Sequence, residues 1–363
     1  MSIDLPHLAS ALFNRPHMIA GHKLDVILSA IAPRLFDGGK LPARAFVQDE
    51  AQDMPCPESY RVTQGVAIIP VHGTLVRRGC WLDSASGLTS YEGLLASFRE
   101  AIIQPDVKAI LLDIDSAGGE AGGVFDLVEE MRRLSTQHNK PIWAHANEQA
   151  ASAAYAIACS AEKIWVARTG DVGSIGVVCA HIDQSKYDEK QGVKWTYIYC
   201  GAHKTHANPH EPLADVARAK IQADSDLLYE MFVQLVVDYR PMSASQVHDT
   251  KADTFIGRQA LTFGLTDHVG TFDEALGALA AQLHAQDKTR KGTDKWPSDT
   301  GSKMSAMKSL KKKRKSTTVQ TRSSHEFLAV LSPSPLNSAR SSLSIPCTHV
   351  YVWICCVLTV DSL

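Results

Sequence analysis

No two cysteines in this chain are spaced as CxxC, and no cysteine–histidine spacing matches a zinc site. A structural metal is therefore not expected. The thiols at Cys56, Cys80, Cys159, Cys179, Cys200, Cys347, Cys355 and Cys356 read mostly as small core hydrophobes in a reducing compartment. A secretory signal is missing too. Asn14, Arg15, His22, Lys23 and Asp25 interrupt the stretch from Leu5 to Leu35, which leaves no apolar core of signal length. No stretch of the body is apolar enough to span a membrane, so a cytoplasmic protein is expected. The formal net charge of −2 gives no global field that would draw nucleic acid, and no nucleic-acid partner is expected. The G-x-G-x-x-G fingerprint is absent, and no Gly-Lys-Ser/Thr follows the Gly-rich stretch, which argues against dinucleotide and Walker-type nucleotide sites.

What is present is unevenly distributed. Residues 1–286 hold 24 Lys+Arg and 34 Asp+Glu, a net of −10, whereas residues 287–363 hold 13 and 5, a net of +8. An acidic body thus carries a basic tail, with five consecutive basic residues at Lys311–Lys315. Ser, Thr and Pro dominate the tail up to Ile345, and its apolar end, Val350–Val360, is too short to span a bilayer. Disorder is expected for 287–363. The tail reads equally as an interaction arm and as the product of a frameshift. Residues 1–59 read as a weakly helical segment, with a linker at Gln48–Glu58.

Between these ends, residues 60–286 alternate short apolar runs with helical spacing. Strands are expected at Val66–Val71, Ala109–Ile114, Ile142–Ala146, Ile164–Ala167, Ile175–Ile182 and Trp195–Tyr199. Helices are expected at Tyr91–Ile103, Val124–Leu134, Ala153–Ala161, Tyr187–Gln191, Leu213–Tyr239, Ser243–Thr250, Arg258–Phe263 and Thr271–Leu283, with Gly264 as a stop. That alternation predicts an α/β fold with a mostly parallel sheet and flanking helices.

Four local features carry chemistry. Asp115-Ser-Ala-Gly-Gly119 follows an apolar strand. It reads either as a tight turn or as an oxyanion hole, whose backbone N–H groups face a developing negative charge. In Ala150-Ala-Ser-Ala-Ala-Tyr155, Ser152 stands where a strand passes into a helix. Serine is a good N-cap, and it is also a nucleophile that small neighbours leave open to a substrate backbone. Thr169-Gly-Asp-Val-Gly-Ser-Ile-Gly176 reads by itself as a loop. Gly201-Ala-His-Lys204 places Lys204 after an expected strand. A surface charge is the plain reading, but a buried lysine can act as the base that activates a serine.

In this order the features resemble the signal peptide peptidase A family of serine peptidases, over roughly Tyr60 to Ala285. Family members read Ala-Ser-Gly-Gly-Tyr at the nucleophile, Gly-Ser-Ile-Gly downstream and Ser-Gly-x-x-Lys at the base. This chain reads Ala151-Ser-Ala-Ala-Tyr155, Gly173-Ser-Ile-Gly176 and Cys200-Gly-Ala-His-Lys204. Gly257-Arg-Gln-Ala260 and Gly264-Leu-Thr-Asp267 match the closing segment. The resemblance implies a crotonase/caseinolytic-protease type of fold, a catalytic Ser152 and Lys204, and Ser174 orienting the lysine. It implies an oxyanion hole from Gly119 and Ala153, and no metal or organic cofactor. Leu5-Pro-His-Leu-Ala9, Phe13-Asn14, Gly73-Thr-Leu-Val76 and Lys190-Gln-Gly-Val193 are similar to the phage capsid-assembly branch of the family. That branch implies capsid, portal or scaffold proteins as substrates, and a homo-oligomer whose subunits share sites. Three other functions stay open: a non-catalytic assembly factor on a protease fold, a cytosolic peptide hydrolase, and an acyl-CoA enzyme using acidic residues such as Glu120 and Glu148.

Overall fold

A computed structural model describes residues 12–36, 60–78 and 88–293. The Gln48–Glu58 linker, the Leu5–Ala9 motif, the Lys311–Lys315 run and the rest of the tail beyond Thr293 lie outside the described residues.

The chain begins with β1 (Pro16–Ile19) and α1 (Gly21–Phe36), then enters the body with β2 (Arg61–Thr63), β3 (Val66–Val76) and β4 (Leu88–Ser90). Next come α2 (Tyr91–Ile103), β5 (Ala109–Glu120), α3 (Val124–His138), β6 (Ile142–Ala151) and α4 (Ala153–Ala158). The second half holds β7 (Lys163–Val166), β8 (Asp171–Gly173), β9 (Val178–Cys179), α5 (Ser185–Lys190) and α6 (Asp215–Tyr239). It closes with α7 (Ala244–Asp249), β10 (Thr254–Ile256), α8 (Arg258–Phe263), β11 (His268–Val269) and α9 (Phe272–Thr293). Among the described residues, all eleven strands belong to one sheet, and its central pairings β3–β5, β5–β6 and β6–β7 are parallel. This is the mixed α/β architecture with flanking helices that the alternation predicts. Among the described residues, no helix is long and apolar enough to cross a membrane.

Local sequence explains the helices. Tyr91, Leu94, Phe98, Ala101 and Ile102 put one buried stripe on α2, and Ser90 caps it by accepting a hydrogen bond from Gly93 N. Helix α3 buries Val124, Leu127, Val128, Met131 and Leu134 at the same spacing. Ser243 and Gln246 form a reciprocal capping box on α7. Gly264, at φ 82°, ends α8 in the left-handed conformation that glycine tolerates. The central strands read as nearly continuous apolar text because helices cover both faces of a parallel sheet. Ala109–Leu112 and Ile142–Ala146 are all buried.

The sheet forks. Strands β5 and β6 pair in regular register from Ile110/Ile142 to Ile114/Ala146, and their last bridge is Ser116–Ala150 after a register shift. Beyond it each strand takes a different neighbour. The end of β5 pairs antiparallel with β1, and the end of β6 pairs in parallel with β8, which β10 extends. Ser152 follows directly on the end of β6.

Four local expectations need correction. Ser116–Gly119 is not a turn. It continues β5 as extended chain to Glu120, because residues without bulk let β3 and β1 flank it closely. Ile175–Ile182 keeps only the two-residue β9, and Trp195–Tyr199 forms no strand. The latter alternates like one, but it has no strand partner among the described residues, and a lone strand is not stable. The weakly helical N-terminal segment also contains a strand of the main sheet, β1.

Arg240, with its side chain only 2% exposed, meets Asp267 Oδ2 at 3.0 Å, and the same carboxylate oxygen accepts from Ile164 N. Asp267→Ala strands a buried guanidinium. The expected loss is about 3 kcal/mol, the lower end for a broken buried pair because Asp267 is itself 30% exposed. A urea midpoint measures it. His17 and His145 are buried, and desolvation holds both below the ordinary histidine value. A depressed native value means that the unfolded chain binds more protons as acid is added. Stability is therefore full above about pH 6.5 and falls below it, read as a decline in Tm between about pH 7 and 5.

Candidate active site

Ser152 occupies the N-cap position of α4 without acting as a cap. Its side chain makes no capping hydrogen bond, and its backbone sits at φ 56°, ψ −118°. Those angles are ordinary for glycine and strained for any residue with a Cβ. The strain is held from two sides. Ser152 N donates to Gly173 O at 2.8 Å, and Ala156 N donates back to Ser152 O at 3.0 Å, opening the helix. The hydroxyl makes one long contact, to Gly176 O at 3.4 Å. Capping does not explain this serine. A strained elbow that aims a weakly engaged hydroxyl into a fork of the sheet fits a nucleophile.

Gly118 and Gly119 lie across from it. Gly118 has φ 96°, and a Cβ there would stand 2.3 Å from Met18 O, 2.9 Å from Ala151 O and 3.1 Å from Ala153 N. A Cβ on Gly119 would meet Leu75 O at 1.8 Å. Only glycine lets the end of β5 pass between β3, β1 and the elbow. The pair thus brings the β5 backbone against the backbone N–H of Ala153, the first residue of α4. The sequence singles out Gly119, but it misses Gly118, the one of the pair whose Cβ position lies against Ala151 O and Ala153 N at the elbow. The Gly-Gly doublet was the available signal.

The Gly173-Ser-Ile-Gly176 stretch completes the surround. Gly173 (φ 121°) and Ser174 (φ 51°) are both left-handed, and Ser174 N donates to Asp253 O at 2.8 Å. A Cβ on Gly173 would crowd Asp253 O at 2.7 Å, and one on Gly176 would crowd the Ala252 side chain. Hydrogen bonds from Ser152 to Gly173 and Gly176 thus bring this stretch to the nucleophile candidate.

Lys204 is not brought there. It is exposed, in a run of turns, and its backbone N donates to Gly201 O at 3.0 Å. Its side chain has no hydrogen bond or ion pair among the described residues. The Ser174 hydroxyl makes no hydrogen bond to it either. Glu148 is exposed, and Glu120 accepts a hydrogen bond from Arg77 N at 3.0 Å. Among the described residues no cluster of His, Cys, Asp and Glu could hold a metal ion, and Cys159, Cys179 and Cys200 are free thiols.

Comparison with known proteins gives a consistent family. The profile of peptidase family S49 matches residues 135–286. The chain is similar to capsid assembly protease C of Escherichia phage lambda, 36% identical over 296 residues, which cover 78% of this chain and 67% of that one. It is also similar to the head-tail preconnector protein GP5 of Enterobacteria phage P21, 33% identical over 78% of this chain and 59% of that one. A chloroplastic serine protease SPPA of Arabidopsis thaliana is 27% identical over 60% of this chain and 32% of its own length.

The backbone of Ser152 separates stability from chemistry. Ser152→Gly relieves the left-handed strain that Ser152→Ala retains. The glycine variant should be more stable than the alanine variant by about 1 kcal/mol despite its more flexible unfolded chain. Thermal melts of the two variants side by side check this.

Proposed function

The chain belongs to peptidase family S49 and is on that ground a serine-type peptidase; we propose that Ser152 is its nucleophile, Lys204 its general base, and proteins of a phage head its substrates. The observation that carries the assignment is the uncapped, strained Ser152, set at the fork between the Gly118-Gly119 backbone and the Gly173–Gly176 stretch.

The neutral lysine amine takes the proton of Ser152 Oγ, which attacks a peptide carbonyl carbon. The backbone N–H groups of Gly119 and Ala153 receive the oxyanion, and a donor of this kind lowers a barrier by roughly 3–4 kcal/mol. The lysine returns its proton to the leaving amine. Water then gives a proton to the lysine amine and attacks the ester at Ser152, and the lysine returns that proton to Ser152 Oγ as the acid product leaves. In the proposed oligomer the Ser174 hydroxyl would hold the lysine amine delivered by the neighbouring copy. Every proton has a named carrier, and the step needs no metal or organic cofactor.

The exposure of Lys204 points to the missing part. A lysine acts as a base only when uncharged, and burial favours that form. The segment just before it exposes Trp195 (49%), Ile198 (99%) and Tyr199 (51%). An alternating apolar stretch with no strand partner among the described residues is a surface for a second copy. A homo-oligomer in which this arm packs on a neighbour would bury the lysine and deliver it to Ser152. Capsid, portal or scaffold proteins are the proposed substrates because the phage relatives carry names from capsid assembly and the head-tail connection.

An active-site fluorophosphonate should label the parent chain, and labelling should fall at least about a thousandfold in Ser152→Ala and in Lys204→Ala. Mixing the two inactive variants should restore a fraction of the labelling and of head-protein processing, since some mixed sites combine an intact serine with an intact lysine. Unchanged labelling in Ser152→Ala removes the nucleophile assignment. Full activity in a monomer removes the shared site. A chain that never labels while heads still assemble is a non-catalytic assembly factor.

A further inference from the structure

The fork beside Ser152 is not empty. Strand β1 lies in it, antiparallel to β5 on one side and to β9 on the other. His17 faces Glu120, Met18 faces Gly119 and Ile19 faces Gly118 across β5, while Pro16 faces Cys179 and His17 faces Val178 across β9. The register places one carbonyl at the proposed chemistry. Ala20 N donates to Ala117 O at 2.9 Å. Hydrogen-bonded pairs alternate along an antiparallel ladder, so Met18–Gly119 is the next pair to exchange hydrogen bonds. That sets the Met18 carbonyl on the N–H of Gly119, the proposed oxyanion donor. The crowding around Gly118 agrees, because the same Cβ position lies 2.3 Å from Met18 O and 3.1 Å from Ala153 N, the second proposed donor. Met18 and Ser152 are both fully buried.

The residues just before β1 reach the run of turns that carries Lys204. Asn14 N donates to Ala180 O at 2.8 Å, beside β9, and its Nδ2 donates to Ala207 O at 2.9 Å, in the run of turns that carries Lys204. Its Oδ1 lies 2.8 Å from His181 Nδ1. Residues 14–20 therefore lie along the fork from the lysine-bearing turns to the Gly-Gly edge, as a bound polypeptide would.

We propose that the slot between β5 and β9 is the site where an extended polypeptide substrate enters as a strand, and that the chain's own Pro16–Ile19 occupies it as an internal substrate mimic, with the Met18 carbonyl on the oxyanion donors. This rests on the reading of Ser152 as nucleophile. Access to the nucleophile then requires β1 to leave, and an incoming strand replaces the same backbone hydrogen bonds.

The pairing of Pro16 with Cys179 supplies the test. Partners across an antiparallel ladder have Cα atoms about 4.5–5.5 Å apart, within the span of a disulfide, so Pro16→Cys can tether β1 to β9 through the native Cys179. In the full chain, fluorophosphonate labelling of Ser152 should be at least about tenfold slower in oxidised Pro16→Cys than after reduction. Labelling of Pro16→Ser should not respond to oxidant. Peptide mapping establishes the 16–179 disulfide. Equal labelling rates with that disulfide in place overturn the occupied slot and leave the peptidase reading standing. Failure of the disulfide to form places β1 away from β9 and overturns it as well. Absence of labelling in every form overturns both readings together.

Discussion

Among the described glycines, the one with least room for a side chain, Gly119, stands where β5 and β6 part company. Side by side through Ile114 and Ala146, the two strands give the body its parallel core, and their last bridge is Ser116–Ala150. Past that bridge, Gly118 and Gly119 allow approaches that no side chain could share, with Leu75 O, Met18 O and Ala153 N all inside the space a Cβ would need. Ser152 can hold its strained angles because neighbouring backbone fixes it on both flanks, through Gly173 and through the first turn of α4. Strain at one residue is worth about 1–3 kcal/mol, and only an over-determined surround retains it. The fully buried α4, with Tyr155 Oη donating to Leu265 O at 2.9 Å, anchors that surround to the closing segment of the domain.

The sequence is most legible where a regular period meets a core. The stripes of α2 and α3, the apolar β5 and β6, and the stop at Gly264 all follow from spacing and from glycine's freedom, and the structure has them within a few residues. It is least legible where small residues serve two ends. Ser116–Gly119 has the composition of a turn, yet it is strand, because the same lack of bulk that permits a turn also permits two neighbours at very short range. Pro16–Ile19 is four residues long and half-hidden beside a helix, with no alternation long enough to announce a strand. At the site, the order of the motifs points to Ser152 and the Gly173–Gly176 stretch, and the fold brings these together. The meeting of Ser152 with Lys204 is not legible in the structure of one chain.

That difference follows from where each residue gets its support. Ser152 is positioned by hydrogen bonds within a buried core, so one chain suffices to fix it. Lys204 sits in a run of turns whose tertiary ties include Asn14 Nδ2 to Ala207 O, and the apolar residues before it face solvent. Trp195 stacks on His210, whose Nδ1 lies 2.6 Å from Asp188 Oδ2, so this arm has order of its own without a strand partner. Under the proposed homo-oligomer, this arm, which has no strand partner among the described residues, packs against a second copy. A residue it carries will have its environment set by whatever covers it.

The occupied slot fits this logic energetically. Met18 belongs to the main apolar core, and burying a side chain of its size is worth about 1.5–3 kcal/mol. Dislodging β1 into water would therefore populate the open form rarely, and the backbone hydrogen bonds of β1 add to that resistance. Exchange with another strand is different. An incoming polypeptide restores the β5 and β9 hydrogen bonds and can fill the Met18 position with its own apolar residue, so the free energy of exchange is a small difference between similar quantities. On the proposed reading, such a device would keep the strained Ser152 out of solvent in the free chain, yet yield to a substrate that presents an extended segment with an apolar residue at the matching position.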